Sequence, residues 1–210
     1  MLASGSEPEY LQRHAECLSD LFDPVTNPDG YIAVCEAENK LVAEMVADRL
    51  DRVPRVPPSV LGYDTMTGTL RFRKQLSNFM GRNFLGRQFD PQQISVLAGA
   101  GCVLEILFHA LGDRGDGVLV PTPSYAGFWM DLELRNGLTI VPAHRSSDDD
   151  FRLTPGLLDR AVADAGRPIK ALLYTSPDNP MGRVASREEI NRVLAWADDR
   201  DLHVVFDEIY

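Results

Sequence analysis

The stretch Leu202-His203-Val204-Val205-Phe206-Asp207-Glu208-Ile209-Tyr210 carries the strongest chemical signal in the chain. Apolar and β-branched residues lead up to two polar side chains, Asp207 and Tyr210. Such a run reads as a buried strand of a parallel sheet. Open α/β sheets bind ligands outside the C-terminal ends of their strands. A carboxylate buried there without a positive partner costs on the order of several kcal/mol. A protonated ring nitrogen is one partner that would answer it, and the carboxylate would then keep that ring an electron sink. On this strand alone, a strand-end or helix N-cap role for Asp207 is the better reading.

Three further stretches place chemistry-bearing residues after apolar runs. Gly99-Ala100-Gly101-Cys102 follows Ile94–Leu97 and opens a helical pattern. Small residues at a helix start let backbone N–H groups approach a phosphate, and the helix dipole favours the anion. The same residues could be half of a dinucleotide fingerprint, although Leu104 stands at the third glycine position, or a tight turn with no ligand. Pro121-Thr122-Pro123-Ser124-Tyr125-Ala126-Gly127-Phe128 offers Tyr125 for stacking on a planar ring, or as core. Asn179, between Pro177 and Pro180, can aim an amide at a ligand oxygen or form an ordinary Asx turn.

The elements that must position these residues alternate along the chain. A helical piece around residues 8–22 and an irregular arm come first, then a short extended run from Tyr31 to Cys35. Asn39 is placed to cap a helix whose apolar residues recur at Leu41, Val42, Met45, Val46 and Leu50. A proline-rich connector, residues 51–60, marks a boundary. Thr69 can cap a helix bearing Leu70, Phe72, Leu76, Phe79 and Met80. Strands are expected at Ile94–Leu97, Val118–Pro121, Leu138–Val141 and Ile169–Tyr174, and over Leu202–Tyr210. Helices are expected at about 102–111, 124–135, 155–165 and after Ser186, where Ser186 and Glu189 form a capping box. Repeated strand–helix units imply an α/β fold with a doubly wound, mostly parallel sheet.

Composition narrows the ligand class. The chain has 210 residues and a formal net charge of -10, which disfavours a general nucleic-acid or anionic-membrane surface. Small polar molecules are the expected ligands. Cys17, Cys35 and Cys102 show no paired spacing, so neither a disulfide framework nor a zinc knuckle is expected, and the histidines form no metal motif. Residues 1–20 hold no apolar signal-peptide core, and a reducing, cytoplasmic setting follows as the expectation.

Taken together, Tyr63-x4-Gly68, Gly99-Ala100-Gly101, Pro121-Thr122-Pro123-x-Tyr125, Asn179-Pro180-x-Gly182 and Asp207-Glu208-Ile209-Tyr210 resemble the fold-type I pyridoxal-phosphate enzymes, specifically class I/II aminotransferases. Ala37-Glu38-Asn39-x-Leu41 and Gly127-Phe128 add similarity to the 1-aminocyclopropane-1-carboxylate synthases and their aminotransferase-like relatives. The resemblance implies pyridoxal 5'-phosphate as cofactor. Asp207 would pair with its pyridine nitrogen, and Tyr210 and Asn179 with its phenolic oxygen. Tyr125 would stack on the ring, and Ala100 and Gly101 would lie at the phosphate. Tyr63 would reach the neighbouring subunit's phosphate in a homodimer, and Glu38 would lie near an amino-acid substrate. Residues 1–58 would be an N-terminal arm and small-domain segment, and 59–210 the first, incomplete part of the cofactor-binding large domain.

The departures are specific. Gly101 replaces a usual hydroxyl residue, Met66 a usual tyrosine, and Ser176 the first Asn of Asn-Pro-x-Asn-Pro. The resemblance places the cofactor-bonding lysine, and two arginines, beyond Tyr210. The only lysines are Lys40, Lys74 and Lys170. The expected activity is therefore transamination or a related lyase or replacement reaction within a longer enzyme, with this chain inactive and poorly soluble by itself. A synthase-type reaction on S-adenosylmethionine is one alternative. A catalytically inactive fragment or a dinucleotide-binding module is another.

Overall fold

The computed structural model describes residues 9–53 and 55–210. Contacts divide the chain into two units, one ending at Tyr63 and the other running from Asp64 to Tyr210. The first holds α1 (Glu9–Ser19) and α2 (Ala43–Asp51). Between them the chain turns back on itself. The N–H of Phe22 donates to the Tyr31 carbonyl and that of Tyr31 to Asp20, each at 2.8 Å. The return brings Cys35 beside Cys17, whose thiol is pushed up by desolvation and then by Cys35. Spacing alone gave no sign of that pair.

The helical period expected after Asn39 is present, but its start differs. The Asn39 side chain makes no cap, and a 3-10 turn, Lys40–Val42, precedes α2. None of the residues in α2 is buried.

In the second unit, Thr69 caps α3 (Leu70–Met80) by accepting from the Phe72 N–H at 3.2 Å. The buried Arg73 ties that helix to the preceding turn, donating to the carbonyls of Gly68 and Pro91 at 2.9 and 2.8 Å. The expected strand at Ile94–Leu97 does not form. The Val96 N–H donates instead to the Thr67 carbonyl, and no sheet partner lies alongside among the described residues.

Four parallel strands follow: β1 (Gly117–Thr122), β2 (Thr139–His144), β3 (Ile169–Thr175) and β4 (His203–Asp207), in the order β2-β1-β3-β4. Crossovers between parallel strands place helices on the faces, so the strands must be apolar on both sides. Side-chain alternation delivers this. Leu119, Leu172 and Tyr174 pack on one face with α5 (Pro155–Asp164) and α6 (Arg187–Asp198) residues Leu157, Leu158, Val193 and Trp196. Val118, Val120, Ala171 and Leu173 pack on the other with Leu104 and Phe108 of α4 (Ala100–Leu111), and with Phe128 and Leu132. Fully burying each such aliphatic side chain stabilises the fold by about 1.5–3 kcal/mol.

The caps show why these helices start where they do. Thr154 accepts from the Leu157 N–H with Pro155 at the first helical position, and Ser186 accepts from the Glu189 N–H. The second expectation is half right. Glu189 does not reach back to close the capping box. It turns inward, 1% exposed, and its Oε1 accepts from the Tyr174 hydroxyl at 2.7 Å, Arg183 at 3.0 Å and the Leu153 N–H at 3.1 Å. The helix expected over 124–135 is also different. Helical backbone begins only at Phe128 and widens into a π-helical turn over Met130–Leu134.

Candidate active site

The C-terminal ends of the strands gather the chemistry. Asp207 is the last residue of β4, paired in register with Thr175 of β3. Its backbone carbonyl accepts from the Ser176 N–H at 3.1 Å, and its Oδ1 accepts from the Ile209 N–H at 3.2 Å. Burial pushes its carboxyl up from 3.8, and the hydrogen bond from Ile209 only partly opposes this. No described Lys, Arg or His stands within ion-pair distance. Asn179, in the loop after β3, donates its side-chain amide to the Tyr210 hydroxyl. That contact joins two loop residues which sequence placed 31 positions apart.

Tyr125 lies in the loop after β1, its ring edge-to-face with Phe128 at 5.4 Å. It folds back over Gly127, where a Cβ would meet Tyr125 Cε1 at 2.3 Å. Gly127 is thus the residue that lets the ring lie there. Gly99 enters α4 at φ +94, a conformation glycine adopts without strain. The first N–H groups of α4, at Ala100 and Gly101, have no intrahelical partner. A Cβ on Gly101 would meet Asp131 Oδ1 at 3.3 Å, so any side chain at 101 would press on that carboxylate. Asp131 is itself pushed up, by burial first and then by Glu105 and Asp207. The acid shared by these groups links the α4 start to the end of β4.

Tyr63 and Glu38 belong to the first unit. Tyr63 is fully exposed at 103%. Glu38 forms an exposed ion pair with Lys40 at 3.1 Å. Lys170 enters β3 at the strand end opposite Thr175 and pairs with Asp116 at 3.9 Å.

Sequence reasoning missed Arg145 and Asp178. They form a buried ion pair at 2.5 Å with side chains 2% and 6% exposed. Asp178 and Asn179 line a small cavity with Val120, Pro121, Ser124, Phe128 and Leu173. The signal available was an Asp within a proline-bracketed turn after an apolar strand, which also fits an ordinary turn residue.

An α/β fold with a parallel sheet, an unpaired carboxylate ending one strand and an amide–phenol pair beside it defines a class of ligand-binding α/β enzyme folds. The comparisons give the family. The model for aminotransferase class I and II matches residues 31–210, and the chain belongs to that family. It is 35% identical to 1-aminocyclopropane-1-carboxylate synthase 3 of Oryza sativa subsp. japonica, over 99% of this chain and 48% of that protein. It is 30% identical to a probable aminotransferase of Arabidopsis thaliana, over 100% of this chain and 45% of that protein. In fold it is similar to a Thermus thermophilus aspartate aminotransferase mutant, with TM-score 0.72 and 23% identity, covering 99% of this chain and 52% of that one. The chain spans about half the length of the curated relatives it matches.

Enzymes of this family use pyridoxal phosphate. The residues present fit that group. Asp207 is a half-buried carboxylate that burial pushes up, with no described cation in ion-pair reach, and a pyridinium would supply one. Beside it, Asn179 offers an amide and Tyr210 a hydroxyl to an anionic oxygen.

Proposed function

We propose that residues 64–210 form one part of a pyridoxal-phosphate site that acts on an α-amino acid, by transamination or a related lyase or replacement reaction, within a longer enzyme. The observation that carries this reading is the carboxylate of Asp207 at the end of β4, which has no cation in ion-pair reach among the described residues, with the Asn179–Tyr210 pair beside it. When bound, the cofactor supplies a protonated ring that withdraws electrons from the substrate's α-carbon. Asp207 keeps the ring nitrogen protonated. Asn179 and Tyr210 donate to the phenolic oxygen and hold it ionised. Tyr125, fixed over Gly127, covers one ring face. The unpaired N–H groups of Ala100 and Gly101 face the phosphate. Residues 1–58 serve as arm and small-domain segment. Tyr63, wholly exposed, is available to a second copy of the protein in a homodimer.

A second reading has its own support. The synthase relatives and Glu38, matching their Ala-Glu-Asn segment, favour a synthase-type reaction on S-adenosylmethionine. Met66 opposes it, since a thioether donates no proton.

The test begins with pyridoxamine 5'-phosphate, which binds without a lysine. Titrated into this chain, it should bind saturably, and Asp207→Ala should weaken it by about tenfold or more. Equal binding by both proteins would discard the reading. In the longer enzyme, Asp207→Ala should slow turnover by orders of magnitude. Efficient formation of the cyclic amino acid from S-adenosylmethionine would select the second reading.

A further inference from the structure

We propose, building on the cofactor reading above, that the buried Arg145–Asp178 pair is a positioning device that sets the aim of the Asn179 side-chain amide. The guanidinium ties together the ends of three strands. Arg145 follows β2. Its Nη1 donates to Asp178 Oδ2 in the loop after β3, its Nη2 to the Pro123 carbonyl at 2.6 Å, and its Nε to the Thr122 carbonyl at 3.3 Å. Its backbone N–H also donates to the Thr122 carbonyl, at 3.0 Å. The loop that carries Tyr125 and the loop that carries Asn179 therefore share one fixed cation.

Asp178 is in turn the framework of its own loop. Its N–H donates to the Arg183 carbonyl at 2.9 Å, and its carbonyl accepts from the Gly182 N–H at 2.8 Å. Asn179 is the next residue. With the Asp178 side chain locked to Arg145 and its backbone locked to Gly182 and Arg183, the Asn179 Cα has little freedom. Its amide then meets Tyr210.

A role in stability alone does not explain the pair. Buried ion pairs contribute little net stability over apolar residues of the same volume, and their best-attested use is to fix register. This pair is not even fully satisfied. Asp178 Oδ1 and the Ser124 hydroxyl are buried without a hydrogen-bond partner among the described residues. Both line the cavity that Asn179 also lines. The geometry is held at the expense of an unmet acceptor, as expected where position matters more than solvation.

The test needs a readout that does not depend on the cofactor. The side-chain amide resonances of Asn179, identified by their loss in Asn179→Asp, should be displaced from the free-amide position and slow to exchange in this chain. Asp178→Asn and Arg145→Lys should return them to the free-amide position while the backbone resonances of β1 and β3 stay in place. If either single variant unfolds, the volume-matched Arg145→Met/Asp178→Leu variant should fold and still show the free amide. An Asn179 amide that keeps its wild-type position in any folded variant overturns the proposal.

Pyridoxamine 5'-phosphate affinity gives the second readout. Asp178→Asn should weaken it several-fold, and should add nothing further on an Asn179→Ala background. Additive losses would mean a general structural effect and would overturn the positioning role. If the ligand fails to bind the wild-type chain while the amide resonances respond as stated, the cofactor reading falls and the positioning of Asn179 stands.

Discussion

Glu189 and Asp207 are carboxylates associated with the same parallel sheet, and burial is the largest influence on both. They end in opposite states. Burial works to raise Glu189, but Arg183, the Tyr174 hydroxyl and the Leu153 N–H together hold it below its ordinary value. The neighbouring Tyr174 hydroxyl is pushed up in turn, by burial and then by its hydrogen bond to Glu189. Among the described residues the Asp207 carboxylate has only the Ile209 N–H, and it is left raised. One charge is completed by the chain's own groups, and the other is left open toward the strand ends. A completed carboxylate holds structure, whereas an open one is suited to an exogenous cation.

Four experiments can break or sharpen that contrast. The largest effect is expected at Glu189. Glu189→Gln leaves Arg183 without its carboxylate and should lower stability by about 2–4 kcal/mol in urea titrations. A loss below about 0.5 kcal/mol would show that the network is not structural.

The pH dependence comes next. The stability due to Glu189 is present above its unfolded value near 4.5 and is lost as pH falls through its lowered value. Asp207 and Asp131 run the other way. Their stability is present below about 3.8 and is lost as pH rises through their raised values. Glu189→Gln should therefore flatten the acid loss. Asp207→Asn should gain on the wild type at pH 7, and that gain should vanish by pH 3. A gain that is independent of pH would remove the electrostatic cause.

Gly127→Ala tests the open side more gently. The added Cβ would meet the far end of the Tyr125 side chain, which can swing away, so the stability cost should stay near about 1 kcal/mol. The Tyr125–Phe128 contact should be lost, visible as a change in ring-current shifts at Phe128. Unchanged shifts would show that the glycine is not what permits the ring position.

The smallest effect is that of Asp207→Asn itself at pH 7, a gain of about 0.5 kcal/mol or less. A loss as large as that of Glu189→Gln would erase the distinction between the two carboxylates.

Much of the fold was legible because its signals are local. The Thr69, Thr154 and Ser186 caps, the apolar strand runs and the glycines after helices each depend on a few neighbouring residues. The misses depend on distant ones. Ile94–Leu97 has strand composition, but its backbone meets Thr67 rather than a strand. The helix expected from residue 124 starts at Phe128, after the Tyr125 ring has packed onto Gly127. Glu189 fits a capping box by spacing, but Tyr174 and Arg183 draw it inward. Candidate site residues such as Asn179 and Asp207 could be singled out by their place after apolar runs. Arg145 could not, because its partner lies 33 positions away and nothing near it marks it as buried.

The Arg145–Asp178 pair has a hereditary consequence. Loops at the ends of parallel strands usually diversify independently, since each can change length or sequence without disturbing its neighbours. Here two of them share one salt link, so neither position can mutate alone without leaving a buried charge bare. Descendants of this chain should therefore change residues 145 and 178 as a pair or keep both. An alignment of its nearest kin should show these columns covarying more strongly than either does with the adjacent Ser146 or Pro177.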